Sequence, residues 1–315
     1  MNKFVTFIIF LVLSLFSSAG FSAQQKVIFG AYINDIYALD LKSGTAEVDI
    51  DIWTLSDSSQ DWIQRLEIKN GLIEEKSAEV KKRINGKYYT SERLKVKLTQ
   101  DYQLSKFPID SQKISLYFQD ASIERDNLIF EPDQNNSRCS SELSIHGWNV
   151  GKLEIYEKPR IYKTNFGDST LADKSAQFSR MVVACPLERS GSGYFIKLFS
   201  TIFLAAFVAY LGFFVNPKDL DPRFGLGIGG IFAVMASNFV LTSMLPETGE
   251  VTFIEATLFA SIGMILVYLA ESIFVLKLVG RNKIKQAEKI DRYSAIGALG
   301  LYLLSFIFIV WYFFY

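Results

Sequence analysis

From Lys26 to about Arg189, apolar and polar residues alternate with a period of two. In AEVDIDIW, Val48, Ile50 and Ile52 fall on one face and the acids on the other. RLKVKL repeats the pattern with Leu94, Val96 and Leu98, and KISLYF with Ile114, Leu116 and Phe118. Such alternation marks strands that bury one face. Turn-forming stretches divide the runs: KSG at 42–44, NGK at 85–87, Phe107-Pro108, and EPDQNNS at 131–137. The pattern predicts an all-β sandwich over 24–192. Its alternating acids read as a solvated face rather than as paired catalytic carboxylates.

Past residue 193 the alternation stops and four long apolar runs follow, at 194–214, 224–244, 253–276 and 294–314. Each is long enough to cross a bilayer, so 193–315 is expected to be a four-helix transmembrane domain. Residues 1–23 read differently. Lys3 precedes FVTFIIFLVLSLF, and small residues follow at SSA and FSA. An apolar stretch of about 13 residues falls short of the ~20 a span needs. This is the pattern of a signal peptide, cut after Ala19 or Ala23.

Charge orients the whole. The link after the third run carries Lys277, Arg281, Lys283, Lys285, Lys289 and Arg292, whereas the link after the second carries Glu247, Glu250 and Glu255 and no Lys or Arg. The basic link belongs in the cytoplasm. The sandwich then lies outside, in agreement with the export signal.

Composition narrows the chemistry. The 315 residues carry no formal net charge and a single histidine, His146. Hydrolytic triads and His-rich metal sites are thereby disfavoured, and no cofactor or metal is expected. Lys197 and Glu271 alone do not make an intramembrane acid–base set. No basic run interleaved with aromatics points to nucleic acid. Cys139 and Cys185 are too far apart in the chain for C-x-x-C chemistry or a zinc cluster, and fit equally a disulfide or two free thiols.

One motif invites a different conclusion. RFGLGIGG at 223–230 contains G-x-G-x-x-G, from Gly225 through Gly227 to Gly230. A dinucleotide fingerprint needs a strand before it and a helix behind it within a βαβ unit. Here the motif opens a membrane span, and a Rossmann fold is rejected. Gly225, Gly229, Ala233 and Ser237 recur at the spacing of close helix packing. Ser237, Asn238, Thr242 and Ser243 make this span the least oily, as a pore-lining helix would be. Both interpretations stand at this point.

Three local matches make the chain resemble the pentameric ligand-gated ion channels, the family of the Cys-loop receptors and their bacterial relatives. VNPKDLDPRFGLGIGG, continuing to Leu245-Pro246, is similar to the pore helix of anion-selective members. FPID at 107–110 with Gln112 resembles the signature loop. Glu188-Arg189 resembles the segment joining sandwich to membrane. The signature-loop cysteines would fall at Gln100 and Ile114, the first span lacks proline, and the last link is short. Those departures favour a bacterial homologue.

The resemblance implies a ligand-gated channel of five identical subunits in a bacterial cell membrane, with the sandwich on the periplasmic side and no enzymatic activity. It implies a pore face of Asp221, Gly225, Gly229, Phe232, Ala236, Phe239 and Ser243, with Phe232 and Phe239 as aromatic gates. A ring of Asp221 carboxylates would favour cations, while Arg223 would turn away and pair with Glu271. Coupling would run through Asp40, Phe107, Pro108, Asp110, Arg189 and Pro246, with an Asp110–Arg189 ion pair. A small-molecule agonist such as an amine would sit in an aromatic cage of Trp53, Phe118, Tyr162 and Phe166, with Trp148 in the core. The alternatives are an anion-selective channel and a non-conducting, membrane-anchored ligand sensor.

Overall fold

The computed structural model describes residues 24–167, 175–247 and 249–315, and the signal peptide expected over 1–23 lies outside the described residues. The period-two segments form strands β1 (Gln25–Asp40), β2 (Thr45–Ser56), β3 (Leu66–Ile68), β4 (Gly71–Lys76), β5 (Val80–Ile84), β6 (Lys87–Thr99) and β7 (Ser111–Asp120). They continue as β8 (Leu128–Pro132), β9 (Arg138–Cys139), β10 (Trp148–Val150), β11 (Glu154–Glu157), β12 (Arg160–Tyr162), β13 (Ala176–Phe178) and β14 (Arg180–Arg189).

Two sheets form the sandwich. One runs β4-β6-β2-β1-β8, with β5 added to β6 and β9 to β1. The other runs β10-β14-β7-β3, with β11 on β14. Register puts the alternating apolar residues opposite one another: Val48 faces Val96 and Ile50 faces Leu94 across β2 and β6. Their side chains join Phe29, Phe118 and Phe130 between the sheets, where the Phe29 and Phe118 rings lie 5.1 Å apart. The polar face of β2 is more than solvated. Asp49 is buried, and Arg93 donates two hydrogen bonds of 2.7 Å to its two carboxylate oxygens. Those bonds hold the Asp49 carboxyl below the usual carboxylate range.

The apolar runs become α1 (Ser192–Tyr210), extended by a tighter turn over Leu211–Phe214, α2 (Leu220–Met244), α3 (Phe253–Gly280) and α4 (Ile284–Phe314). All four are long and apolar enough to cross a membrane, and the chain is a multi-pass membrane protein. A capping box opens α3: the Thr252 side chain accepts from Glu255 N–H, and Glu255 accepts from Thr252 N–H at 2.8 Å.

The fourth helix differs from expectation by starting well before Ser294. Ala287, Asp291, Ala295 and Ala298 recur at helical spacing and are all buried, so the segment has a packing face without being uniformly oily. Lys285, Lys289 and Arg292 therefore sit on this helix, and the connection from α3 shrinks to 281–283.

Sandwich and bundle share an apolar seam. Leu104 and Phe107, from the segment between β6 and β7, are buried with Phe199 of α1, Leu241 of α2 and Phe253 of α3. A backbone bond pins the seam, with Phe253 N–H donating to Ser105 C=O at 2.8 Å.

Candidate functional site

The second helix has two unlike faces. Arg223, Gly227, Gly230, Val234 and Leu241 are buried against the bundle. Asp221, Gly225, Gly229, Phe232, Ala236, Phe239 and Ser243 are all exposed on the single chain. Phe232 and Phe239 are 69% and 76% exposed on the single chain, as residues of a membrane helix that face lipid, a neighbouring subunit or a pore would be.

The glycines of the G-x-G-x-x-G run divide between these faces. A methyl at Gly230 would stand 2.9 Å from the Ala209 Cβ of α1, and one at Gly227 would overlap Leu269 of α3. Gly225 and Gly229 have open space beside them. Close helix packing thus accounts for Gly227 and Gly230, and the stripe through Gly230, Ala233 and Ser237 is not one free face. Ala233 and Ser237 instead line a groove of about 350 Å³ with Leu198 and Thr201 of α1. The hydroxyls of Ser237, Thr242 and Ser243 each donate to a carbonyl one turn back, so their polarity is satisfied within the helix.

Behind the exposed face, Arg223 is fully buried. Its guanidinium donates to Glu271 Oε2 at 2.8 Å, to Ser272 Oγ at 3.0 Å and to Asp291 Oδ2 at 3.0 Å, with a further bond to Asp291 Oδ1. The Arg223–Glu271 pairing was legible in the chain, whereas Asp291 was missed. One cation thus holds α2, α3 and α4 together.

At the junction, the Asp110–Arg189 pair is present: Arg189 Nε donates to Asp110 Oδ1 at 2.7 Å and Nη2 to Oδ2 at 3.3 Å. Gln112 donates to the same carboxylate at 2.7 Å. The guanidinium lies 5.0 Å from the Phe107 ring, 4.3 Å from Trp148 and 5.3 Å from Tyr194 of α1. Four of the named coupling residues, Phe107, Pro108, Asp110 and Arg189, therefore meet at one joint, and Trp148 serves it as well as the core. Pro246 follows the buried Leu245 just past α2.

Asp40 does something else. Its carboxylate accepts from Lys42 N–H at 2.8 Å and from the Ser43 hydroxyl at 2.7 Å, which holds the carboxyl below its usual range. The residue that reaches the membrane helix is Lys42, whose ammonium donates to the carbonyls of Thr242 and Ser243 at 3.1 and 3.2 Å. These last-turn carbonyls have no partner within the helix, and a cation suits that end of its dipole. Lys42→Met is expected to speed amide exchange over 241–247 by roughly fivefold, corresponding to about 1 kcal/mol of lost hydrogen bonding. Hydrogen-exchange mass spectrometry reads this directly, and unchanged exchange would show the contact to be idle.

The aromatic residues proposed as a cage do not lie together on one chain. Tyr162 and Phe166, with rings 5.3 Å apart, line a cavity of about 710 Å³ with Phe178, Lys69 and Gln119. Arg180 donates to the Tyr162 hydroxyl at 2.9 Å, and Arg160 stands 5.7 Å from its ring centre, so a cation already occupies that face. Phe166 is 66% exposed and keeps an open face. Phe118 must be removed from the set. It is fully buried against Phe29 because β7 is covered on both faces near its end. Trp53 lies on the other sheet, over Gly30, and donates its indole N–H to Asp133 at 3.0 Å.

No protein-family profile matches the chain. Among individual proteins, it is 22% identical over 206 residues to the glycine receptor subunit beta of Rattus norvegicus, covering 65% of this chain and 40% of that one. It is 20% identical over 229 residues to the proton-gated ion channel of Gloeobacter violaceus, covering 71% of this chain and 59% of that one. A gamma-aminobutyric acid receptor subunit beta of Caenorhabditis elegans is 22% identical over 235 residues, covering 71% of this chain and 40% of its own length. The chain spans between 40% and 59% of the length of these relatives.

Proposed function

We propose, with its likeness to the pentameric ligand-gated ion channels in sequence and fold as the premise, that this chain is a subunit of a ligand-gated cation channel. It is not an enzyme. Five copies surround a pore lined by α2, and a small molecule bound in the exported sandwich opens it. The observation that carries this is the two-sidedness of α2: Asp221, Gly225, Gly229, Phe232 and Phe239 are exposed on the single chain, while Arg223, Gly227, Gly230, Val234 and Leu241 are buried against the bundle. The groove between α1 and α2, floored by Ala233 and Ser237, is where the neighbouring subunit would dock.

Asp221 lies exposed in the first turn of α2, at the end that the basic residues of α4 put in the cytoplasm. Five such carboxylates favour cations over anions at that mouth. Arg223 does not oppose them, because Glu271 and Asp291 neutralise it. The agonist site is the cavity beside Phe166, completed by Trp53 of an adjacent copy, and the open face of the Phe166 ring suits a small amine. The sandwich lies in the bacterial periplasm and the four helices in the cell membrane.

The sign of the permeant ion is tested by reversal potential across a sodium chloride gradient, recorded with Asp221 and with Asp221→Asn. Current reversing near the sodium potential, and shifting towards zero in the variant, is the expected result. Reversal near the chloride potential in both would make the channel anion-selective, and absence of current under any gating condition would favour the non-conducting sensor.

A further inference from the structure

The proposed channel makes no use of Cys139 and Cys185, yet the fold brings them together from opposite sheets. Cys139 belongs to β9, which lies parallel to β1 with Cys139 beside Ile33. Cys185 is fully buried in the middle of β14 and pairs with Ile114 of β7. Their sulfurs are 3.5 Å apart across the interior of the sandwich.

Neither backbone is free to drift. The segment bearing Cys139 is stitched along β1 by three bonds: Asp133 N–H to Phe29 C=O at 2.8 Å, Ala31 N–H to the Ser137 hydroxyl at 3.0 Å, and Ser140 N–H to Ile33 C=O at 2.8 Å. β14 is held along its length by β7. Two thiols fixed at this separation need only small side-chain rotations to reach the ~2.05 Å of an S–S bond.

We propose that Cys139 and Cys185 are a site of covalent modification, closed to an inter-sheet disulfide by exchange with the disulfide of an oxidised dithiol carrier. Cys139, half-buried, is the attacking group, and Cys185 behind it is the resolving one. The contact between the two sulfurs favours the Cys139 thiolate, while that same neighbour and then burial push the Cys185 thiol up. The Cys139 thiolate attacks one carrier sulfur, forming a mixed disulfide and releasing the other as a thiolate. Cys185 gives its proton to that thiolate and attacks Cys139 Sγ, which expels the second carrier sulfur as a thiolate that takes up the proton Cys139 first lost. Two electrons and two protons have then passed from the cysteine pair to the carrier, leaving it as a dithiol. The bond would fasten the β1 sheet to β14 only four residues before Arg189, so the oxidised sandwich could not slide one sheet over the other without moving the junction.

The test uses the purified full-length protein, equilibrated with glutathione disulfide and glutathione, acid-quenched, alkylated and mapped by peptide mass spectrometry. The expected result is equal loss of both alkylatable thiols, a joined Cys139–Cys185 peptide within one chain, and no glutathione adduct. In Cys185→Ser, Cys139 should accumulate a glutathione adduct, while in Cys139→Ser the Cys185 thiol should stay unmodified. Two free thiols in the wild-type protein, a persistent glutathione cap on Cys139, or a bond between two chains would each overturn the proposal. Wild-type mapping decides the matter even if a serine variant fails to fold.

Discussion

Serine in place of Phe239 is expected to produce a channel that conducts without ligand. Phe239 and Phe232 are seven residues apart on the exposed face of α2, or about 10 Å along the axis. With five chains around a pore, each position becomes a ring of phenyl groups, and a narrow apolar ring excludes water and therefore ions. Serine removes the bulk and supplies a hydroxyl at the same point. Phe239→Ser should raise resting current roughly tenfold or more over the wild type, with Phe232→Ser acting in the same direction. Surface expression measured beside the current makes a negative result informative. Two well-expressed and silent variants would mean that these rings face something other than a pore.

The second large effect is on assembly of the membrane domain. Arg223→Met removes the one cation that, among the described residues, pairs with the Glu271 and Asp291 carboxylates, which are 9% and 7% exposed. Breaking a buried ion pair by deleting one partner costs about 3–5 kcal/mol, because the orphaned charge remains buried. Here two carboxylates lose their shared partner and are left buried side by side. Arg223→Met should therefore give little monodisperse protein and a lowered thermal midpoint. Replacing all three charged residues by apolar ones of similar volume should restore much of the loss, since neutral packing often matches a buried ion pair. A single variant as stable as the wild type would show that the cluster does not hold the helices.

Much of this architecture was legible because two simple periodicities carry it. Val48, Ile50 and Ile52 alternate because one face of β2 is core, and the runs after residue 193 are apolar because lipid surrounds them. The Arg223–Glu271 pair could be anticipated, since a membrane arginine must find a counter-charge. Asp291 was hidden by its setting, an acid among basic residues read as a link, and only the early start of α4 turns it inward. Lys42 reads locally as a turn residue, since nothing in KSG says that its lysine meets a helix two hundred residues away. Phe118 was misassigned for a related reason. Alternation says which face a residue shares, but β7 is buried on both faces, and there the rule no longer separates core from cavity.

The tight backs of Gly227 and Gly230 also fix a dimension. In a ring of five such chains, the bore would depend on how closely each pore helix leans on its own α1 and α3. That distance is set by the absence of two methyl groups on the side facing away from the ions. A side chain at Gly230 would press its helix inward, five times over, because the Ala209 Cβ and the Ala205 carbonyl behind it cannot turn aside, whereas at Gly227 the Leu269 side chain could. The calibre of such a conduit would thus be written on the far side of the helix, in residues no ion would ever meet.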